Sequence, residues 1–202
     1  MKHELTKEQF LNDVKNHEMT IIKEEGVFRH IRFKQPDSCN RYFDLITFPG
    51  LLLYTGDMGT YVFSRINDMF RFFRDEKNEL SPNFDYWAEK CIARDNSGRR
   101  SIRDFDIDVF KECVISDTLE YLEKSSVEEL TEDEMDEIEH LLDCDNEIDA
   151  ITEMRDHHSY IIPLADFWEN DFTSLSYGYM WCCYAIQWGI MRYDKNKKGE
   201  DV

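Results

Sequence analysis

Apolar residues recur along the chain with two different periods, and the change from one to the other divides it. Thr6-Lys7-Glu8-Gln9 has the form of a helix-capping box, and Phe10, Leu11 and Val14 follow at helical spacing. A short amphipathic helix is predicted over 7–16. The next segments alternate. MTIIKEE and GVFRHIRFK, divided by Glu25-Gly26, predict two antiparallel strands around a tight turn. RYFDLITF and LLLYT repeat the arrangement about Pro49-Gly50, and GDMG leads into TYVFS. An opening helix and a meander of four or five strands are therefore expected over the first hundred residues.

From RINDMFRFFR onward the period lengthens. Ile66, Met69, Phe70 and Phe73 share one helical face, which predicts a helix over 65–74. NFDYWAEKCIAR predicts another over 83–94, stopped by Asn96-Ser97-Gly98. Phe110, Cys113, Val114, Tyr121 and Leu122 suit a helix over 107–123. Capping boxes at Ser126/Glu129 and Thr131/Glu134 follow. The second opens a helix with the apolar stripe Met135, Ile138, Leu141 and Leu142, and Ile148, Ile151 and Met154 mark the next. YGYMWCCYAIQWGIMRYD is apolar almost all round and predicts a buried C-terminal helix. The expected class is α+β: an N-terminal helix and antiparallel β-meander, then a helical, acidic C-terminal half. The expected organisation is 1–103 as an α+β region, 104–156 as an acidic helical segment, and 157–202 as a helix packing back on the core of one compact domain.

Charge sharpens that division. The net charge is −19, with −18 in residues 104–156 alone, +1 before them and −2 after. With 42% hydrophobic and 14% aromatic residues the chain should nevertheless fold. So acidic a surface disfavours direct contact with nucleic acid or anionic membrane and favours basic partners. Residues 131–149, TEDEMDEIEHLLDCDNEID, hold ten carboxylates and no Lys or Arg. A helix over 132–143 would carry seven carboxylates on ~18 Å, one per roughly 2.6 Å, against one per ~1.7 Å of axis in duplex DNA. Like charges at Glu132/Asp136 and Asp133/Glu137 each cost such a helix about 0.2–0.5 kcal/mol. A solvated face is the ordinary meaning of a charge run, but ordinary acidic faces mix signs. The near-absence of cations points to a surface that fits a basic groove. Its expected contact residues are Glu132, Asp133, Asp136, Glu137, Glu139, Asp143, Asp145, Glu147 and Asp149.

Chemical motifs fail their own geometry. Asp143, Asp145, Glu147 and Asp149 resemble the start of a calcium loop, but Ile148 and Met154 stand where glycine and a closing glutamate are required. Asp104, Asp106 and Asp108 fail in the same way at Val109 and Ile115, and suit the start of a helix better. Asp37 with Asp75-Glu76-Lys77 matches a metal-nuclease pattern only at the level of chance. His157-His158 lack a partner one turn on and suit a surface helix end. The glycines of GDMG suit a hairpin turn, with no Lys-Ser/Thr to complete a phosphate loop. Six cysteines without regular spacing are expected as reduced thiols, Cys182-Cys183 as small buried hydrophobes. No catalytic residue, cofactor or metal is expected. Arg94, Arg99, Arg100 and Arg103 form a basic cluster that either neutralises the acidic helices or, with the GDMG turn as a second option, binds a small anionic ligand such as a nucleotide.

FDLITFPGLLLYTGDMGTYVFSRINDMFRFFR (43–74) and CCYAIQWGIMRYDK (182–195) resemble a family of small proteins encoded by bacteriophages, prophages and related mobile elements. The likeness rests on TFPG, GDMG-x-YVFSR and AI-x-WGI-x-x-YD, and carries no catalytic residues to transfer. It implies a host-directed inhibitor in the bacterial cytosol, acting on a DNA-binding defence machine such as a restriction enzyme or CRISPR complex. An inhibitor that binds instead through apolar and aromatic residues, at a homodimer or partner surface, would use its charge only for steering.

Overall fold

The computed structural model describes residues 5–38, 40–77, 79–95, 101–125, 129–156, 167 and 169–199. The chain divides into two compact units: His3–Ile102 with Leu175–Val202, and Met1–Lys2 with Arg103–Ser174. In sequence, the second is inserted into the first. Within the first unit the chain leaves at Ile102 and returns at Leu175, and the N–H of Ser176 donates to the Ile102 carbonyl at 2.9 Å.

The first unit is built on a six-stranded antiparallel sheet in sequential order. Its strands are β1 (Glu18–Glu25), β2 (Phe28–Lys34), β3 (Phe43–Phe48), β4 (Leu51–Gly56), β5 (Gly59–Ser64) and β6 (Cys91–Arg94). Helix α1 (Lys7–Val14) precedes it, capped reciprocally by Thr6 and Gln9. The C-terminal helix α7 (Tyr177–Lys198) buries Trp181, Cys182, Cys183, Ile186 and Ile190 in the same apolar core as the sheet. Alternation puts Ile31, Phe33, Phe43, Leu45, Leu52, Tyr54, Tyr61 and Phe63 in that core. Register joins them across strands, Ile31 opposite Leu45, then Tyr54, then Tyr61. Edge strand β1 ends in exposed Lys23, Glu24 and Glu25 and carries a bulge between Ile21 and Lys23, a device that discourages pairing with another sheet.

The TFPG, GDMG and WGI-x-x-YD segments hold this packing together. Pro49-Gly50 forms the two-residue turn between β3 and β4, with Gly50 at φ 82°. Gly56 pairs with Gly59 across the GDMG hairpin, and a Cβ on Gly56 would meet the Tyr42 carbonyl at 2.2 Å. Gly189 lets α7 approach the sheet, since a Cβ there would meet Leu45 at 2.9 Å and Phe33 at 3.0 Å. Asp194 accepts two 2.7 Å hydrogen bonds from Arg74.

Two predicted helices differ. In place of 65–74 the helix is α2 (Met69–Phe73), because Asp68 caps it, accepting from the Phe70 N–H while also holding the guanidinium of buried Arg29. In place of 83–94 there is a short α3 (Phe84–Ala88) and then β6, which takes strand form by pairing with β5. Cys182 and Cys183 are fully buried and burial pushes both thiols up; the five described cysteines are free. Among the described residues no helix is long and apolar enough to cross a membrane.

The second unit holds α4 (Ile107–Ser125), α5 (Glu132–Leu142), α6 (Glu147–Asp156) and a two-stranded ribbon of β7 (Arg103–Phe105) and β8 (Thr173–Leu175). It has its own core of Phe110, Val114, Leu141, Cys144, Ala150, Met154, Phe167 and Phe172. The predicted stripe of α5 turns out narrower. Ile138, Leu141 and Leu142 belong to this core, but Met135 is 49% exposed, and on α6 Ile148 is 74% exposed while Ala150 and Met154 point inward.

Candidate anionic interaction surface

The second unit holds 24 carboxylates against five Lys and Arg, while the first has 19 of each. The whole net charge of −19 therefore resides in one compact unit. Local capping makes its helices tolerate this. Asp106 accepts from the N–H groups of Asp108 at 3.1 Å and Val109 at 3.5 Å, so it caps α4. Thr131 and Glu134 form the capping box of α5, and these bonds hold the Glu134 carboxyl below its ordinary range. Asn146 accepts from Ile148 at 3.0 Å and Asp149 at 3.1 Å at the start of α6. The run 143–149 is thus divided between the end of one helix and the cap of the next, and does not wrap a cation. Replacing Thr131 by alanine should destabilise α5 by about 1 kcal/mol, read as faster amide exchange in Glu132–Leu142.

At 100° per residue, Glu132, Asp136, Glu139 and Asp143 fall within an arc of roughly 60° on the side of α5 opposite Leu141. All four are exposed, and exposed Asp133 flanks them. Along the helix axis these five charges span about 16 Å, with gaps of about 1.5 to 6 Å between neighbours and a mean near 4 Å, a high but uneven density of negative charge. Among the described residues no Lys or Arg pairs with any of them, whereas Lys124 on α4 pairs with Glu120. Glu137 departs from the row. It is half-buried, with its Oε1 buried and unbonded among the described residues.

The remaining predicted contacts lie elsewhere in the unit. Asp145 and Glu147 line a cleft of about 540 Å³ with Asp104, Asp106 and Asp108. Asp149, bonded by the Asn146 amide at 2.6 Å, lines another of about 390 Å³ with His140, Asp143, Cys144 and Glu153. Of the two acidic runs that fail as separate calcium loops, Asp104, Asp106 and Asp108 share one cleft with Asp145 and Glu147, while Asp143 and Asp149 line the other. Among the described residues no group of His, Cys, Asp and Glu is arranged to hold a metal ion. The negative field is felt locally: burial and then Asp117 and Glu112 push the Cys113 thiol up, and burial and then Glu120 push the Asp117 carboxyl up.

Arg94 is exposed on β6 of the first unit and Arg103 is exposed at the start of β7 in the second. Arg99 and Arg100 lie outside the described residues, as do the Asn96-Ser97-Gly98 breaker, Ser126, His157-His158 and Cys39. In GDMG, Asp57 accepts from the Arg41 N–H at 2.8 Å and its own N–H donates to Tyr42, so the turn braces the preceding loop.

The two units should respond oppositely to acid. In the first, burial acts to raise Asp44 and Asp68, but hydrogen bonds from Arg32 and His30, and from Arg29, outweigh it and hold both carboxyls low. Their stabilising contribution is present above the unfolded carboxyl pKa of ~3.9 and is lost as pH falls through the lower folded values. The raised Asp117 has the opposite sign: its contribution is present at low pH and is lost as pH rises through its folded value. Between pH 7 and about 4, amide protection corrected for intrinsic exchange should rise in α4–α6 and fall somewhat in β1–β6, because burial holds the His17 imidazole below its ordinary value and its contribution is lost as pH falls through that folded value. Below that range the sheet should lose more as Asp44 and Asp68 protonate.

Comparison with known proteins finds no matching family model, no matching curated protein and no matching solved structure.

Proposed function

We propose that the protein is a non-enzymatic, host-directed inhibitor encoded by a phage or other mobile element and working in the bacterial cytosol. Its acidic unit occupies the nucleic-acid-binding groove of a defence complex, of the CRISPR-effector or restriction-nuclease class. One observation carries this: the entire net charge of −19 is confined to one compact unit, with a row of exposed carboxylates along one side of α5 that pairs with no Lys or Arg among the described residues. The likeness of residues 43–74 and 182–195 to proteins of phages and prophages supplies the host-directed context. Inhibition would be competitive occlusion, with fast and salt-sensitive association.

Competition tests it. A target captured from bacterial lysate by the immobilised protein and eluted with salt is titrated with fluorescent single- and double-stranded DNA. The protein should displace both, less effectively as ionic strength rises. A target that keeps its full DNA affinity with the protein bound would rule out occlusion. A saturable thermal shift with nucleotides, lost in Arg94→Ala, would point instead to a small-ligand role for the basic cluster.

A further inference from the structure

Helix α4 leaves an aliphatic pair outside its own core. Phe110, Val114 and Thr118 are buried, and Ile107, Cys113 and Tyr121 pack against the unit's core. Ile115 and Leu119 take no part in it and are 47% and 57% exposed. They are one turn apart, so their side chains form a single ridge on the solvent side of the helix. At 100° per residue exposed Glu112, Glu120 and Glu123 lie along one flank of that ridge, and half-buried Lys111 and Leu122 border the other. Solubility and charge repulsion account for the glutamates but not for two large aliphatic residues beside them.

We infer that Ile115 and Leu119 are the apolar anchor of the interface proposed above, and that they seat in an aliphatic pocket rimmed by Lys and Arg on the target protein. The inference rests on that proposal and adds the chemistry of the partner. Charge selects the occupant. A second copy docking by the same face would bring its own acidic unit of net −19 against the ridge, its neutral first unit offers no excess of cations to the glutamates, and an anionic lipid surface is repelled. A bare polycation satisfies the glutamates but leaves the aliphatic pair in water. A basic protein surface with an aliphatic centre satisfies both, with apolar residues at the middle of the contact and charges on its rim.

The test uses the full-length protein and two helical peptides of equal length and charge, one of lysine and glutamine, the other of lysine and leucine with the leucines on one face. Wild type should bind the leucine peptide roughly tenfold or more tightly than the glutamine peptide. Ile115→Gln with Leu119→Gln, which preserves helix propensity, should abolish that preference while leaving affinity for the glutamine peptide unchanged. Equal binding of both peptides by wild type, or a preference that survives the double substitution, overturns the inference. So does a homodimer in sedimentation that the double substitution dissolves. Reversal of Glu132, Asp136 and Glu139 to lysine should weaken both peptides alike. If that reversal has no effect while the leucine preference still depends on Ile115 and Leu119, the ridge on α5 fails and the anchor stands.

Discussion

If the acidic row faces a basic target as proposed, converting Glu132, Asp136 and Glu139 to lysine should lower affinity for it by roughly 100-fold at low salt, with the fold intact. The three side chains are exposed on one row of α5, and among the described residues they pair with no Lys or Arg, so their removal breaks no described ion pair. Each reversal withdraws an attraction of about 0.5 kcal/mol and adds a comparable repulsion, so three give ~3 kcal/mol. The helix should change little: lysines at 132 and 136 remain a like-charge pair and the one at 132 sits in the first turn, while a lysine at 139 would attract Asp143 one turn on, and the cap made by Thr131 and Glu134 is untouched. Glu137 does not belong in this set, since its Oε1 is buried and a lysine there would place an ammonium group at the edge of the core. The measurement is the salt dependence of binding alongside far-ultraviolet circular dichroism. A triple variant that binds and inhibits like wild type, with its slope against salt unchanged, means that this row does not face the target.

The elements most open to reading from sequence are those fixed by short-range rules. Alternating residues, the glycines of the Pro49-Gly50 and GDMG turns and the Thr131/Glu134 cap each act within a few residues, and each appears where expected. The sixth strand was hidden because Cys91–Arg94 gains its strand form from the free edge of β5, a partner about thirty residues away. Asp68 looked like one more polar residue inside a helix, and only the Arg29 guanidinium reaching from β2 explains why it became a cap. In the acidic segment the spacing of Glu132, Asp136, Glu139 and Asp143 already defines a row. Which side of each helix meets the core is decided by tertiary packing. That is why Met135 and Ile148 are exposed, Glu137 turns inward, and Asp145 and Asp149 line different clefts. The aliphatic pair Ile115 and Leu119 had a visible signal, two large residues one turn apart and offset from the Phe110–Val114 line. Its meaning depended on seeing what the core leaves out.

Trp181→Ala should destabilise the first unit by about 3–5 kcal/mol, enough to lower its thermal midpoint by roughly 10–20 °C. Trp181 is fully buried in α7, edge-on to Phe10 at 5.2 Å and Phe43 at 5.7 Å, so it joins the first helix, the sheet and the last helix at one point. Truncation leaves a cavity that rigid strands on one side and a long helix on the other cannot close. It also deletes the 3.1 Å hydrogen bond from the indole Nε1 to Asp13, a carboxylate that is mostly buried and also paired with Arg41. Trp181→Phe separates the two effects. It restores most of the ring contact while still lacking the indole donor, and should cost about 1–2 kcal/mol. Equal losses for Ala and Phe would make the Asp13 bond, and not the ring, the dominant contribution. Because the acidic row lies on α5 in the other unit, binding of the basic target by folded Trp181→Phe should match wild type at a temperature well below its midpoint. Stability and recognition would then be separable in this chain, the first residing in the neutral α+β unit and the second in the helices that hold its charge.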